Sequence, residues 1–475
     1  MRIVAKLFLF LLIFSVKSKA SPEESLVLRH VTVIDGTGAA PQLDQTVVIS
    51  GGRVRSVSPA SQMKPGVSAK IIDGQGKYLM PGLWDMHVHI AGVLANPAWS
   101  KTVLLPLLLA NGITGVRDMG GDLEALLAWK RDVETGKFLG PHIIAAGPWL
   151  SKGGKKSPEQ YPVANAEEAR EAVRDLKKRG ADFIKIISLP SREAFFAVAD
   201  ESRKQNIVFV GHLPIEVGAA EDSNAGMRSI EHLYYSNFAL SVSSKEQELR
   251  EQYIAARKNR DVAAIVKASE EAIATYSPEK ATALYRTLKT NNTWITPTLE
   301  GIFIAGHPSP LHFEKALMEF LPGAVVKDWE TAPDGEEAAQ IKELAKLSEN
   351  DWKLTREMQA AGVSLLAGSD SLDEREVPGI SLHAELGQLV KAGMMPMEAI
   401  QCATLGAARF MGKEDEFGTV RTGRHADLVP LNRDPSKEIA NTLSIEGVVF
   451  QGEYLDRAAL DRMLKNVRDA AARVK

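Results

Sequence analysis

The chain has almost no cysteine, no excess of basic charge and no low-complexity tract, and each absence excludes a class of protein. Cys402 is the only cysteine among 475 residues, so an intramolecular disulfide is impossible. The 57 basic and 60 acidic side chains give a formal net charge of −3, which provides no general footprint for nucleic acid. With 45% hydrophobic and 25% charged residues, the chain can bury a large globular core.

The first 20 residues have a composition of their own. Arg2 and Lys6 precede an apolar stretch at residues 7–16, and a small-residue site ending at Ala20 follows. This order is typical of a secretory signal peptide, and its apolar core is too short for a good membrane span. We therefore expect cleavage after Ala20 and a mature protein that is secreted or periplasmic. The alternative is an uncleaved anchor.

Strand-like segments recur at intervals that fit one architecture. They start near Leu83, Ile113, His142, Asp182, Ile207, Ser229, Thr293 and Ser364. Most of the gaps hold a helical pattern, as at residues 166–179 and 191–204. Eight strand–helix units in about 330 residues predict an α/β fold of the (β/α)8 TIM-barrel type, whose active sites gather at the C-terminal ends of the strands.

Histidines and one aspartate stand in or just after several of these segments. His87 and His89 belong to the first, where residues two apart face the same way. His212 and His232 each follow a short apolar strand, and Asp370 ends the last segment. Imidazole and carboxylate groups are ligands that zinc prefers, with one position open for water. The alternatives are core histidines and a helix N-cap at Asp370.

Lys185 interrupts a run, residues 182–187, that otherwise reads as a buried parallel strand. A lysine buried there is costly without a partner, and burial lowers the pKa of its amine. The neutral amine is nucleophilic and can capture carbon dioxide as a carbamate, a carboxylate-like group that can bridge two metal ions. The alternative is a lysine whose amine reaches solvent at the strand end.

Together these motifs resemble the amidohydrolase superfamily, and within it the branch of imidazolonepropionase-like proteins and Xaa-Pro dipeptidases. The similarity covers nearly the whole mature chain and includes Pro-Gly-Leu-x-Asp-x-His-x-His from residue 81, Arg117-Asp118-Met119-Gly120-Gly121, residues 184–186, 230–232, 296–298, 368–370 and 383–411. It implies two divalent metal ions, zinc in the first place. One would be held by His87, His89 and Asp370, the other by His212 and His232, with carboxylated Lys185 as the bridge.

The chain ends share a second pattern. Residues 26–72 alternate apolar and polar side chains between glycine turns, which predicts short antiparallel strands, and a similar pattern returns at residues 418–455. We interpret both as one composite β-sandwich, with two unrelated β appendages as the alternative. The predicted division is a signal peptide at 1–20, an N-terminal sandwich segment at 21–82, the hydrolase barrel at 83–413, and a C-terminal sandwich segment with a final helix at 414–475.

This ligand set predicts a hydrolase. Two cations would activate a water molecule and polarise a scissile carbonyl, while Asp370 acts as general base and then as general acid. We expect an exported enzyme that cleaves an amide or peptide bond of a small substrate, a dipeptide or an N-acyl amino acid. The alternatives are a mononuclear cyclic-amide hydrolase or deaminase, in which Lys185 stays an amine, and a non-catalytic binding protein.

Substrate contacts are less well defined by the sequence. Tyr234, Tyr235 and Arg117 are candidates, with a core or lid tyrosine and a salt bridge as their alternatives. Gly153-Gly154-Lys155 stands where dipeptidase-like relatives carry Gly-Gly-His, so the chain departs from the dipeptidase pattern at the expected contact for a substrate carboxylate. A lysine at this position still pairs with an anion. Inserts at residues 242–291 and 306–347 suit lids or solvated helices. Nothing predicts nucleic acid as a partner, and a homo-oligomer is compatible with this fold.

Overall fold

The computed structural model describes residues 25–62, 69–92, 95–189, 191–233, 238–307, 315–329, 335–372 and 375–474. The expected signal peptide lies outside these ranges, and so do Tyr234 and Tyr235. Cleavage, export and the two tyrosine contacts therefore stay predictions. Within the described ranges, no helix combines the length and the apolar character that a membrane span requires.

The strands are β1 Ser25–Val33, β2 Gln42–Ser50, β3 Arg53–Pro59, β4 Ala69–Asp73, β5 Tyr78–Pro81, β6 Leu83–Val88, β7 Ile113–Asp118, β8 His142–Ala145, β9 Trp149–Lys152, β10 Gln160–Val163, β11 Phe183–Ile186, β12 Val208–Gly211, β13 Ser229–Glu231, β14 Trp294–Thr296, β15 Leu428–Leu431, β16 Gly447–Phe450 and β17 Glu453–Asp456.

The helices are α1 Pro97–Ala110, α2 Leu123–Glu134, α3 Ala166–Arg179, α4 Arg192–Gln205, α5 Ala219–Ala225, α6 Phe238–Ser241, α7 Glu246–Asn259, α8 Val262–Ala274, α9 Pro278–Asn291, α10 Leu299–Gly306, α11 Lys315–Met318, α12 Gly323–Trp329, α13 Gly335–Ala361, α14 Ile380–Lys391, α15 Pro396–Cys402, α16 Leu405–Phe410 and α17 Arg457–Ala471. Helix α3 has the bounds that the sequence predicts, and α4 is shifted by one residue.

One sheet combines strands from both ends of the chain. Its order is β17-β16-β15-β5-β1-β2-β3, with β4 also paired to β1. Strand β1 pairs antiparallel with β2 but parallel with β4 and β5, so the expectation of antiparallel strands alone is wrong. The reason is that the β2–β3 hairpin occupies one edge of β1, and β4 and β5 return along the other edge. The second layer of a sandwich stays a prediction.

The central strands are parallel and form two sheets, β6-β7-β8 and β10-β9-β11-β12-β13-β14. No strand of the described chain begins near Ser364, where the eighth was predicted; Leu365 and Ser371 form single parallel bridges to Ile295 and Val88 instead. The segment between them nevertheless bonds to both neighbours, because Ile295 N donates to Ser364 O at 3.0 Å and Met86 N donates to Ala367 O at 2.9 Å. The described ladders do not close a barrel, so the (β/α)8 form stays a prediction.

Candidate metal centre

The candidate ligands lie at the C-terminal ends of the parallel strands. His87 lies in β6, His89 directly follows it, and His212 and His232 are the first residues after β12 and β13. Asp370 lies next to these histidines because its backbone N–H donates to His87 O at 2.8 Å. The strand ends and this hydrogen bond therefore bring together side chains that are up to 283 residues apart in sequence.

Asp370 is the centre of this group. Its Oδ1 atom lies 3.2 Å from His87 Nε2 and 3.3 Å from His89 Nε2, and its Oδ2 atom lies 3.6 Å from His232 Nδ1. Ligand atoms of His87, His232 and Asp370 all lie within 4.8 Å of one another, and all three residues are buried. Two imidazoles and one carboxylate at this spacing can hold one divalent cation.

The protein orients three of the imidazole rings through their second nitrogen. His87 Nδ1 lies 3.0 Å from Glu231 Oε2, and His89 Nδ1 lies 3.2 Å from Gly120 O. The third contact, from His232 Nδ1 to Thr298 Oγ1, is 2.6 Å long. Such contacts fix the ring orientation and the tautomer of metal-binding histidines.

His212 reaches the site through a close approach of two strands. Gly211, the last residue of β12, has φ of +141°, and a Cβ atom there would lie 2.0 Å from Ile186 O. Only glycine fits this contact. The His212 ring then lies next to His232, with a ring-to-ring distance of 4.9 Å. His212 and His89 lie outside the three-residue group, whereas His232, assigned to the second ion, lies within it, so the division of the ligands between two ions stays a prediction.

Lys185 is buried among these groups with 1% of its surface exposed. Its Nζ atom makes no hydrogen bond to any residue in the described ranges. Burial lowers the pKa of the amine to about 8, although the charges of Glu231 and Asp370 oppose this shift. A buried amine with a depressed pKa is nucleophilic at neutral pH, as the predicted carboxylation requires.

Three histidines of the site have depressed pKa values. Burial is the largest cause for His87, His212 and His232, and the charge of Lys185 lowers each pKa further. Burial also lowers the pKa of His89, but the bond to Asp370 and the charge of Asp370 outweigh it, so the pKa is raised. A neutral imidazole is the form that binds a metal ion, so three rings are ready to do so.

Arg117 lies behind the metal ligands and is fully buried. Its guanidinium donates to Ser229 Oγ at 2.9 Å, to Glu231 Oε2 at 2.7 Å and to Thr296 Oγ1 at 3.1 Å. Burial raises the pKa of Glu231, but Arg117 and Lys185 outweigh this effect and keep the pKa below its ordinary value. The alternative reading of Arg117, a salt bridge, describes these contacts, whereas its role in substrate binding stays a prediction.

Sequence reasoning included Glu231 and two further carboxylates in the recognised motifs but gave them no role in the site. Asp85 accepts from the N–H groups of His87 and Ser369, and burial raises its pKa to about 7. Asp118 accepts from the N–H of Ile90 at 2.8 Å, and burial raises its pKa to about 6. Each lies within two residues of a recognised motif residue in an apolar strand, which is the signal that could have identified them.

The donor set fits a divalent cation. His87 Nε2 and Lys185 Nζ are buried and make no hydrogen bond within the described part of the chain, although burial of such atoms is costly. His87 Nε2 lies beside the Asp370 carboxylate while its other nitrogen is occupied by Glu231. A cation between these groups would compensate for the lost solvation.

Comparison with known proteins agrees with this chemistry. A family model described as "Amidohydrolase family" matches residues 78–455. The chain belongs to this family. It is a hydrolase that acts on carbon–nitrogen bonds, which confirms the enzyme class predicted from the ligand set. The matched range contains every predicted ligand, whereas the first 77 residues lie outside it.

Three known proteins are similar to this amidohydrolase over most of its length. An ochratoxinase of Aspergillus niger is 23% identical over 418 residues, which cover 76% of this chain and 71% of the ochratoxinase. A solved Xaa-Pro dipeptidase with bound methionine has a TM-score of 0.67 at 21% identity and covers 91% of this chain and all of its own. A bottromycin amidohydrolase reaches a TM-score of 0.71 at 23% identity, with 94% and 90% coverage. The predicted resemblance to dipeptidase-like amidohydrolases is confirmed.

Proposed function

We propose that this amidohydrolase uses two divalent metal ions, most simply zinc, to cleave an amide or peptide bond of a small substrate. His87, His89 and Asp370 would hold one ion and His212 and His232 the other, with carboxylated Lys185 between them. The observation that carries the proposal is the buried Lys185 amine, which has no hydrogen bond in the described ranges and lies within the electrostatic reach of Asp370 and Glu231. Ochratoxinase and the Xaa-Pro dipeptidase suggest small amide substrates.

The chain's own residues would handle the protons of the reaction. The bound ions would lower the pKa of a water molecule and polarise the scissile carbonyl. Asp370 would accept the proton of the attacking water at its carboxylate and deliver it to the nitrogen of the leaving amine. Asp370 Oδ1 lies within 3.3 Å of a ring nitrogen of His87 and of His89. The carboxylate would therefore stand beside the ion that these rings hold, within reach of the water that the ion activates. Glu231 would keep His87 in the tautomer that binds metal.

A mononuclear mechanism is the second candidate. The three-residue group of His87, His232 and Asp370 can hold a single ion by itself, and His89 and His212 lie outside that group. In this case Lys185 stays an amine, and the reaction is that of a cyclic-amide hydrolase or a deaminase. The two candidates differ in the number of ions and in the state of Lys185.

The experiment is to count metal ions per chain after purification without chelator and with bicarbonate present. The same preparation is tested on a mixed library of dipeptides and N-acyl amino acids. Two ions per chain with amide cleavage would support the binuclear proposal. One ion without amide cleavage would favour the mononuclear candidate.

A variant separates the two candidates further. Lys185→Ala should lose the second ion, and added short carboxylates should partly restore it, because they can replace the bridging group. Lys204→Ala is the matched control, since Lys204 is a surface lysine whose side chain is 60% exposed. Two ions retained by Lys185→Ala without added carboxylate would remove Lys185 from the bridging role.

We further propose that the protein is exported and loses residues 1–20. The support is the order of basic, apolar and small residues at the start of the chain. Sequencing the N-terminus of the protein recovered from the medium or periplasm should show a start at Ser21. An intact N-terminus in the membrane fraction would instead support the uncleaved anchor.

A further inference from the structure

A cleft of about 890 Å³ opens beside the metal centre. The predicted ligand His212 lies in its wall, together with Ile187, Ser188 and Leu189 from the segment that follows β11. Small-molecule sites commonly measure about 300 to 1,000 Å³, so this cleft is at the large end of that range. It is therefore well placed to hold the part of a substrate that extends away from the scissile bond.

Much of the cleft wall is apolar. Trp149 of β9, Leu213, Pro214 and Ile215 after β12, and Ile254 of α7 all contribute to it. Contact with these side chains favours a ligand that carries bulky hydrocarbon or aromatic groups. The lining alone does not distinguish a charged ligand from a neutral one.

Charge supplies that distinction, because three cationic side chains line the cleft against one acidic side chain. The cations are Lys152 of β9 and Arg257 and Lys258 of α7, and the acid is Glu216. All three cations are exposed, and none forms an ion pair with a residue in the described part of the chain. Cations that have no acidic partner and line a concave surface attract an anionic group.

The cations of α7 stand on an element that is fixed to the cleft. Arg250 donates from Nη1 to Ile215 O at 2.8 Å and to Val217 O at 3.2 Å. Leu249 and Tyr253 of the same helix are buried in a cluster that includes residues of α6 and α8, with Ile215 packed against it. The insert is thus anchored to the loop after β12, so the last turn of α7 has a defined position beside that loop.

We propose that this cleft binds the carboxylate of the amide substrate, held by Lys152, Arg257 and Lys258. The substrate class is then an N-acyl amino acid with bulky apolar groups, in which the amide lies at the metal centre and the carboxylate lies among the three cations. This inference rests on the proposed amide hydrolysis and adds the substrate class to it. It gives the insert at residues 242–291 a role in specificity rather than in packing alone.

The test compares two amides that differ by one carboxylate. N-benzoyl-L-phenylalanine carries it, whereas N-benzoyl-2-phenylethylamine does not, and both release benzoate on hydrolysis. For the double variant Arg257→Ala/Lys258→Ala, we expect KM for the acid to rise roughly five- to twentyfold, because two charge-assisted contacts are lost. The KM for the neutral amide should change less than twofold. Added salt should weaken binding of the acid alone.

Control variants keep the test interpretable. Lys267→Ala removes an exposed lysine of the neighbouring helix α8, outside the cleft lining, and should leave both KM values unchanged. Arg257→Lys/Lys258→Arg keeps the charges and should restore most of the preference for the acid. Equal losses on both amides, or no loss on either, would overturn the carboxylate assignment.

A binding measurement separates failure of the cleft from failure of the proposed reaction. Calorimetry on the metal-loaded Asp370→Asn variant should show that N-benzoyl-L-phenylalanine binds at least five times more tightly than the neutral amide. If wild type cleaves neither amide but this preference is present and is lost when Arg257→Ala/Lys258→Ala is added, the proposed reaction fails for this substrate class and the cleft assignment stands. Equal affinities for the two compounds would overturn the cleft assignment whether or not cleavage occurs.

Discussion

The metal centre and the terminal sheet bury side chains of opposite kinds. The sheet packs Leu28, Val33, Val47 and Leu428 with other apolar residues, and its buried cluster draws on both ends of the chain. The centre instead buries ionisable side chains, including Arg117 and Lys185, which are among the largest side chains with less than 2% exposure. Burial of apolar groups stabilises a fold, whereas burial of charged groups costs free energy unless they are paired.

The terminal sheet thus contributes mainly to stability, whereas the metal centre holds the groups needed for catalysis. The apolar cluster of the sheet follows the rule for a stable fold, since its buried side chains are apolar residues from several paired strands. The centre violates the rule that charges stay at the surface, and it does so where Glu231 pairs with Arg117 and His87 meets Asp370. Violations of this kind are expected at functional sites. Substitutions in the two regions should therefore separate turnover from stability.

The largest expected effect is on turnover at the centre. Asp370→Asn should lower kcat by roughly 10²–10⁴-fold, because the amide cannot accept and deliver the proton. Much of the bound metal should remain, and circular dichroism should show an unchanged fold. Asp469→Asn, at a side chain that is 47% exposed, is the control. A kcat close to that of wild type would take Asp370 out of the proton-transfer role.

Next in size is a pure stability effect in the sheet. Leu28→Ala should lower the free energy of unfolding by about 2–5 kcal/mol, because it leaves a cavity in a buried apolar cluster. The metal content and kcat of the remaining folded protein should not change. Urea unfolding measures the loss, and Leu43→Ala, at a position that is 72% exposed in β2, should cost little. Loss of metal from Leu28→Ala would show that the two regions are coupled.

The pH dependence of stability sharpens the contrast. In metal-free protein without carbon dioxide, the pKa of Lys185 is about 8, below its ordinary value. The unfolded chain then binds more protons between pH 8 and about 10, so this residue makes stability rise with pH in that window. Below pH 8 the buried amine is protonated, and its burial lowers the free energy of unfolding by the full amount, roughly 3 kcal/mol.

Lys185→Met removes the buried amine and, with it, this pH-dependent cost in stability. The metal-free variant should be more stable than metal-free wild type at pH 7, and its advantage should shrink as the pH approaches 10. Urea unfolding of both proteins at several pH values, with chelator present, measures the difference. A constant difference across this range would mean that Lys185 does not titrate there.

The smallest effect concerns the group that orients a ligand. Glu231→Gln should weaken metal binding by about 10- to 100-fold, because His87 loses its carboxylate partner and Arg117 loses its counter-ion. Competition with a chelator of known affinity measures this change. Glu271→Gln breaks the surface pair with Lys245 and should leave both metal affinity and stability nearly unchanged, because solvent screens this pair. Equal effects of both variants would contradict the role of Glu231.

The sequence predicted local features well where a short pattern determines them. Helix α3 has its predicted bounds because Asn165 caps its start and Gly180 ends it in the left-handed conformation. The segment from Ser364 has the apolar run of a strand, yet it forms only single bridges. Its contacts are with β14 and β6, so its pairing depends on strands far away in the chain, and propensity alone could not predict it.

The sequence by itself determined which residue types stand at the strand ends, and hence the enzyme class and the set of candidate ligands. Only the tertiary structure decided which of them meet: Asp370 beside His87 and His89, and Arg117 against Glu231, 114 residues apart. The physical reason is that a motif fixes donor chemistry within a few residues, whereas burial, pKa and pairing depend on groups that strand order brings together. The protonation state of the Lys185 amine likewise depends on its burial and on the nearby charges of Glu231 and Asp370.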